Sequence, residues 1–162
     1  MTTPQGYVVR PPTTGDRFRW QQLYEGYLTF YKTALSDDQL DTVWSWLLSD
    51  DHEVHGLVVE GPEGIVGLAH YREFPRPSSA SVGGFLDDLF VDPSTRGTGV
   101  VDALLAALRD IGGTRGWTVI RWITADDNYR ARAKYDQQAR RTPWVTYDMT
   151  PDVPDTSPAS ER

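Results

Sequence analysis

The stretch from Phe85 to Val101, FLDDLFVDPSTRGTGVV, constrains this chain more than any other. An apolar strand ends at Pro93, and a loop carrying Gly97 and Gly99 follows. The loop opens a helix with Val101, Leu104, Leu105, Leu108 and Ile111 on one face. Strand, glycine loop and amphipathic helix in that order belong to folds that pack helices on a sheet. Such a loop turns several backbone N–H groups toward one point, where the helix N-terminus adds its positive dipole. Glycine lets the backbone approach an anion closely, and Arg96 supplies a cation beside it. A pyrophosphate suits this arrangement. The loop lacks both the Lys-Ser/Thr ending of a Walker A loop and the G-x-G-x-x-G spacing of a dinucleotide fingerprint. A tight strand-to-helix turn without a ligand is the plain alternative.

The rest of the chain supplies elements that fit around this unit. Tyr7–Arg10 reads as a short strand stopped by Pro11 and Pro12. Asp16 is placed to cap a first helix, on which Trp20, Tyr24, Tyr27 and Tyr31 share one face. Ser36, with Gln39 three residues on, starts a second helix whose stripe is Leu40, Val43, Trp44, Leu47 and Leu48. Val54–Val59 and Ile65–Tyr71 form a hairpin across Gly61-Pro62-Glu63-Gly64, and a polar loop runs from Pro75 to Ser81. Val82–Val91 is the next strand. The helix from Thr98 to about Thr114 ends at Gly112, Gly113 and Gly116. Val119–Thr124, apolar on both sides, reads as a central buried strand. Asp126-Asp127-Asn128 caps a last helix to about Ala139, and Trp144–Met149 reads as a final strand. The expected fold is α/β with the order β-α-α-β-β-β-α-β-α-β, a mixed sheet with helices on both faces. One domain over 7–150 is expected, with a flexible N-terminus over 1–6 and a disordered tail over 151–162, rich in Pro, Ser and Asp.

Composition narrows the chemistry. Asp and Glu number 23 against 16 Lys and Arg, a net charge of −7. This argues against a general nucleic-acid binder and favours cationic partners such as amines. With no cysteine, disulfides, thiolate zinc sites and a cysteine nucleophile are excluded. His52 and His55 have no third ligand nearby, so no metal is expected. No apolar run reaches the roughly 18 residues of a spanning helix, and no signal peptide is read at the start. The expectation is a soluble cytoplasmic protein that does not bind membranes.

Arg96-Gly97-Thr98-Gly99-Val100-Val101 resembles the Q/R-x-x-G-x-G/A signature of the GNAT N-acetyltransferase superfamily, which holds the pyrophosphate of acyl-CoA. Arg96 and Gly99 match, whereas Val101 stands where the family has Gly or Ala. Leu86–Val91 followed by Asp92-Pro93 resembles the family's fourth strand, and Asn128, Ala131 and Tyr135 reproduce its N-x-x-A-x-x-x-Y helix. The likeness spans about residues 7–150. It implies acetyl-CoA as co-substrate, with contacts from Leu89, Phe90, Val91, Arg96, Gly97, Thr98, Gly99, Val100, Val101, Asn128 and Tyr135. The sequence after the Tyr135 helix is similar to a branch that includes histone, polyamine and other small-amine acetyltransferases. Dimerisation is common in the family, with the final strand as a contributor.

The resemblance also implies roles. Tyr135 is the candidate acid for the leaving thiolate, and its ordinary pKa near 10 keeps it protonated at neutral pH. Asp87 is the candidate base. On a regular strand it shares a face with Phe85, Leu89 and Val91, while Asp88 points the other way; the family often has a bulge near Leu89, which would change this assignment. A main-chain N–H near Leu89 would serve the thioester carbonyl as an oxyanion hole. Tyr24, Tyr27 and Tyr31, with Asp87 and Asp88, are candidates to bind the acceptor, since aromatic faces attract ammonium groups. Core packing is the alternative for the aromatic row. Glu25 and Glu73 are weaker candidates for the acceptor, and His70 is an alternative base. The function implied is transfer of an acetyl group to a primary amine of a small cationic molecule. A protein lysine or N-terminus as acceptor, and a CoA-binding module without catalysis, are the alternatives.

Overall fold

The computed structural model of the chain describes residues 6–152. The expected flexible start and disordered tail therefore lie almost wholly outside the described residues. Contacts gather into one unit ending at Ile123 and a second beginning at Thr124.

The first unit is a five-stranded sheet in the order β1 (Val8–Arg10), β2 (Val54–Gly61), β3 (Gly64–Arg76), β4 (Ser81–Val91) and β5 (Ile120–Trp122). The first four strands pair antiparallel, and β5 joins β4 in parallel. Helices α1 (Arg17–Phe30) and α2 (Asp37–Leu47) cover one face. Their Trp20, Leu23, Tyr24, Leu28, Leu40, Trp44 and Leu47 pack on Val58, Ile65 and Leu68 of the sheet. Helix α3 (Val100–Arg115) covers the other face, burying Val100, Ala103, Leu104, Leu105, Ala107 and Leu108. Its first turn is seated closely, because Val100 Cγ1 stands 3.0 Å from the place a Cβ on Gly67 of β3 would occupy.

Local sequence explains most boundaries. The expected capping box opens α2: Ser36 Oγ accepts from the Gln39 amide at 3.3 Å, and the Ser36 amide donates to Gln39 Oε1 at 2.9 Å. The cap expected of Asp16 is not made. Its carboxylate accepts from the Thr13 amide at 2.7 Å and from Arg10 at 2.7 and 3.0 Å, so it braces the turn before α1. Those bonds, led by the one from Arg10, lower the Asp16 pKa to about 2. Helix α3 starts at Val100, two residues later than expected, because Gly97 and Gly99 stand at φ 82° and 91°, values an α-helix does not admit. It runs through Gly112 and Gly113 and stops only at Gly116, whose φ of 71° closes the helix end.

Two strand expectations are corrected. The stretch expected as a central buried strand is the three-residue edge strand β5, paired on one side only among the described residues, with Ile123 beyond it 61% exposed. Trp144–Met149 forms no strand. It finds no ladder partner among the described residues, and Trp144, Val145, Tyr147 and Met149 are 71–93% exposed. The observed order therefore lacks the last β.

The second unit holds α4 (Tyr129–Gln138). Asn128 caps it as expected, accepting from the Ala131 amide at 3.4 Å.

Trp117 fills the space over Gly84 at the β4–β5 junction, and a Cβ there would stand 2.3 Å from its ring. Its indole N–H is fixed on Glu73 at 2.8 Å, so the ring cannot easily move away. Gly84→Ala should cost about 1–3 kcal/mol of stability, measured by urea unfolding. An unchanged midpoint would show that Trp117 is free to shift.

Candidate active site

The site begins with an irregularity in β4. His70 of β3 faces Asp88, but the next residue, Tyr71, faces Leu86, which leaves Asp87 as an extra residue. A β-bulge of this kind bends the strand and resets the alternation of its side chains. Asp88 thereby points to the α1 face, where it meets His70 and Tyr24. Asp87 turns to that face too, against Arg72, whose guanidinium lies over the Phe85 ring at 4.9 Å. The expected sharing of one face by Asp87, Leu89 and Val91 is thus corrected. Asp87 and Asp88 lie together, with Phe90 beyond them packed against the α1 cluster. Leu89 and Val91 stand opposite Ala69 and Gly67 on the α3 face.

The bend has a second effect. Pairing of β4 with β5 stops at Leu86↔Trp122, while β3 follows β4 to Val91. The outer edge of Asp87–Val91 therefore has no strand beside it among the described residues. An open edge presents a row of backbone donors and acceptors ready for an extended ligand.

Asp88 sits in a buried network. Its Oδ2 receives His70 Nδ1 at 2.8 Å and the Tyr24 hydroxyl at 3.2 Å, and the Tyr27 hydroxyl lies near enough to stabilise the charged carboxylate. Burial pushes the Asp88 pKa up, but His70, Tyr27 and Tyr24 together hold it below the ordinary aspartate value. The tyrosines move the other way: burial, then the Asp88 charge, raises both hydroxyls well above their ordinary value. Asp87 differs. Its Oδ1 accepts from Arg72 Nε at 3.2 Å. Its Oδ2 lies at the same distance from that nitrogen but makes no hydrogen bond and is closed to solvent. Burial raises the Asp87 pKa more than Arg72 lowers it. Two adjacent carboxylates thus have opposite shifts, one toward the anion and one toward the acid.

Trp20, Tyr24, Tyr27 and Tyr31 form a ladder with ring centroids 5.2, 5.7 and 4.9 Å apart. Its inner end, Trp20 and Tyr24, is core, and its outer end, Tyr31, is 40% exposed. The row is therefore both core and surface. Glu73 is removed from this group, because it bonds Trp117 and Arg115 on the α3 side of the sheet. Glu25 accepts from Gln21 at 2.8 Å on the exposed side of α1. His52 stacks on Trp46 and accepts from the Val54 amide at 3.0 Å. No metal-holding cluster occurs among the described residues.

The loop before α3 is braced from three directions. Asp92 accepts from the Ser94 hydroxyl at 2.7 Å, from its amide at 2.9 Å and from Arg19 of α1, and these partners lower its pKa. Arg19 also bonds the Ile65 carbonyl at 3.2 Å. The Tyr7 hydroxyl donates to Thr98 Oγ1 at 2.9 Å. Arg96, Gly97 and Thr98 are exposed, Gly99 and Val101 are half-buried, and Val100 is buried. With open space around Gly97 and the first amides of a sixteen-residue helix beyond it, the cradle suits a phosphate. In the second unit, Tyr135 is half-buried in the middle of α4, and the side-chain oxygen of Asn128 makes the cap.

Sequence reasoning missed Arg72 as the partner of Asp87, and Trp20 as the donor, at 3.0 Å, to His70 Nε2. The one available signal was a histidine within an apolar hairpin strand.

Comparison with known proteins agrees with the motif. Residues 20–139 match the model of the Acetyltransferase (GNAT) family. A D-amino-acid N-acetyltransferase of Saccharomyces cerevisiae is 24% identical over 142 residues, covering 86% of this chain and 88% of that protein. A ribosomal-protein-alanine N-acetyltransferase from Brucella melitensis biovar Abortus 2308 superposes with a TM-score of 0.75 at 21% identity, covering 90% and 99% of the two chains. The aminoglycoside acetyltransferase AAC(6')-Iy, in complex with a CoA bisubstrate analogue, gives 0.76 at 20% identity over 90% and 99%.

In a carbon-detected NMR titration, Asp87 should keep its proton to higher pH than an ordinary aspartate, and Asp88 should lose its own at lower pH. Arg72→Gln should move Asp87 further up, because it removes the nearest cation. The reverse order of the two carboxyls would show that the environments have been misread.

Proposed function

The chain belongs to the acetyltransferase (GNAT) family, and from that premise we propose that it moves an acetyl group from acetyl-CoA to a primary amine of a small cationic molecule. One observation carries this reading: the bulge sets Asp87 and Asp88 on the face lined by a tyrosine ladder that opens to solvent. An anion held ionised among aromatic rings is a favourable place for an ammonium group. The net charge of −7 adds long-range attraction for such a molecule. Relatives named for D-amino acids and for aminoglycosides are in keeping with an amine acceptor.

The residues available for acetyl-CoA fit it. The phosphate cradle is Arg96 to Val101, and the open edge of β4 from Leu89 to Val91 suits an amide-bearing arm. When bound, acetyl-CoA supplies the thioester that the amine attacks. Asp88 and the Tyr27 and Tyr31 rings hold the acceptor, with the core residue Tyr24 behind them bonded to Asp88. Asp87, with its raised pKa, takes a proton from the ammonium directly or through water. A backbone N–H at Leu89 stabilises the carbonyl oxygen as charge develops. On the motif resemblance, Asn128 contacts the CoA arm, and the Tyr135 hydroxyl gives its proton to the departing sulfur.

Calorimetric titration with acetyl-CoA, followed by a CoA-release assay over a panel of small amines, tests the proposal. Binding with release for cationic amines is expected. Absence of acetyl-CoA binding would show that the bulk of Val101 has closed the cradle and would overturn the reading. Release only with peptide substrates would move the acceptor to the protein class. Tyr135→Phe should lower turnover by about 10²–10⁴-fold with the acetyl-CoA affinity kept, and full activity in that variant would remove Tyr135 from the reaction.

A further inference from the structure

The acceptor reading uses Asp88 but leaves unexplained the two buried side chains behind it. His70 is 2% exposed, the one polar residue among the described residues that is buried. Both of its ring nitrogens are engaged. The Trp20 indole N–H, which can only donate, points at Nε2 at 3.0 Å. Nε2 must therefore present its lone pair, and the ring proton must reside on Nδ1. Nδ1 stands 2.8 Å from Asp88 Oδ2, so that proton is directed at the carboxylate. The arrangement is self-consistent in one tautomer only. In the other, two N–H groups would face each other at Nε2, and a lone pair at Nδ1 would face an anion. Rings on two sides hold the imidazole: Trp20 at 5.9 Å, and Tyr24 edge-on at 4.8 Å.

Oδ2 of Asp88 also receives the Tyr24 hydroxyl at 3.2 Å. An oxygen with two lone pairs and two donors is saturated. The Tyr27 hydroxyl also acts on this carboxylate, and the two lone pairs of Oδ1 leave room for it and for one further donor. We propose that His70 is a positioning residue for the acceptor: Trp20 fixes its Nδ1–H tautomer, and that proton locks Asp88 so that Oδ1 is the oxygen offered to the acceptor's ammonium. The assignment rests on the acceptor reading above and adds to it the part that sets the anchor's orientation. Trp20 acts at one further remove, with no contact to substrate. The aromatic row on α1 thus has a division: its innermost member selects a tautomer, and its outer members face the acceptor.

Nitrogen-15 NMR of the histidine rings, joined to steady-state kinetics, tests this on the full chain. In the wild type, His70 should show a protonated Nδ1 and an unprotonated Nε2. Trp20→Phe removes the donor to Nε2, and the second tautomer should then become populated. His70→Leu should raise the acceptor KM about tenfold or more, the scale of a lost hydrogen bond to a charged group, with the acetyl-CoA KM unmoved. His70→Asn, whose amide N–H can stand where Nδ1–H stood, should recover most of that loss. Circular dichroism confirms that each variant is folded. A wild-type ring protonated on Nε2 would overturn the assignment. So would a folded His70→Leu protein with an unchanged acceptor KM, in an enzyme that otherwise transfers normally. A wild-type protein that acetylates none of the amines would overturn the acceptor reading itself, and this assignment with it.

Discussion

One extra residue in β4 organises the functional half of the molecule. A regular strand would send Asp87 and Asp88 to opposite faces, and β5 could follow β4 to its end. With Asp87 bulged, both carboxylates meet the α1 face, and β5 leaves the ladder at Leu86. A bulge disrupts the ladder locally. Here the side chains bridge the gap: Arg72 reaches Asp87, and His70 reaches Asp88, so β3 stays joined to β4 on both sides of the shift. The same defect creates the acid pair and the open strand edge, which is why the two occur at one place.

The acid pair also shows how environment, and not residue type, assigns a task. Asp88 is the less exposed of the two side chains, at 18% against 30%, yet it is the one held toward the anion. Its donors are aimed at it: an imidazole N–H whose tautomer is set from behind, and two phenols. Asp87 faces a guanidinium, but one of its oxygens is closed to water without a hydrogen bond. Burial therefore wins there and raises its pKa. Two carboxyls with environments that push them apart are the usual pattern of a site with separate binding and proton-transfer groups. The proposed division between Asp88 as anchor and Asp87 as base follows from that contrast.

Much of this was legible in the sequence, and the limits have physical causes. Helical stripes, the Ser36 box and the hairpin at 61–64 are local signals, and local forces decide them. The glycine loop was legible for the same reason, since Gly97 and Gly99 stand in backbone conformations that other residues resist. The errors arise where partners far along the chain decide. Val119–Thr124 has the composition of a central strand, but its place at the sheet edge depends on where β4 bends. Trp144–Met149 has strand-forming residues, yet a strand exists only with a ladder beside it. The faces of Asp87 and Asp88 follow from the period-two rule only on a regular strand; the residues of LDDL do not themselves announce a bulge, and the family resemblance alone points to one near Leu89. His70 is legible in the sequence only as an alternative base, since its place in the network comes from Trp20 and Asp88, 50 and 18 residues away.

The phosphate cradle and the acid pair are tied to one another through α1. Arg19, one residue before Trp20, grips Asp92 at the end of β4 and the Ile65 carbonyl at the start of β3. Val100 then presses the first turn of α3 onto Gly67, beside the register that ends at Val91. The start of α3 is therefore fixed by core packing and ion pairing, whether or not an anion is present. A site built in advance avoids the ordering cost of assembling itself around a ligand. This also bears on Val101, the one departure from the family's phosphate signature. The anchor of the helix is its neighbour Val100, which is buried and faces the sheet. The added bulk at Val101 changes the wall of the cradle and leaves its backbone frame, and the amides within it, where the sheet holds them.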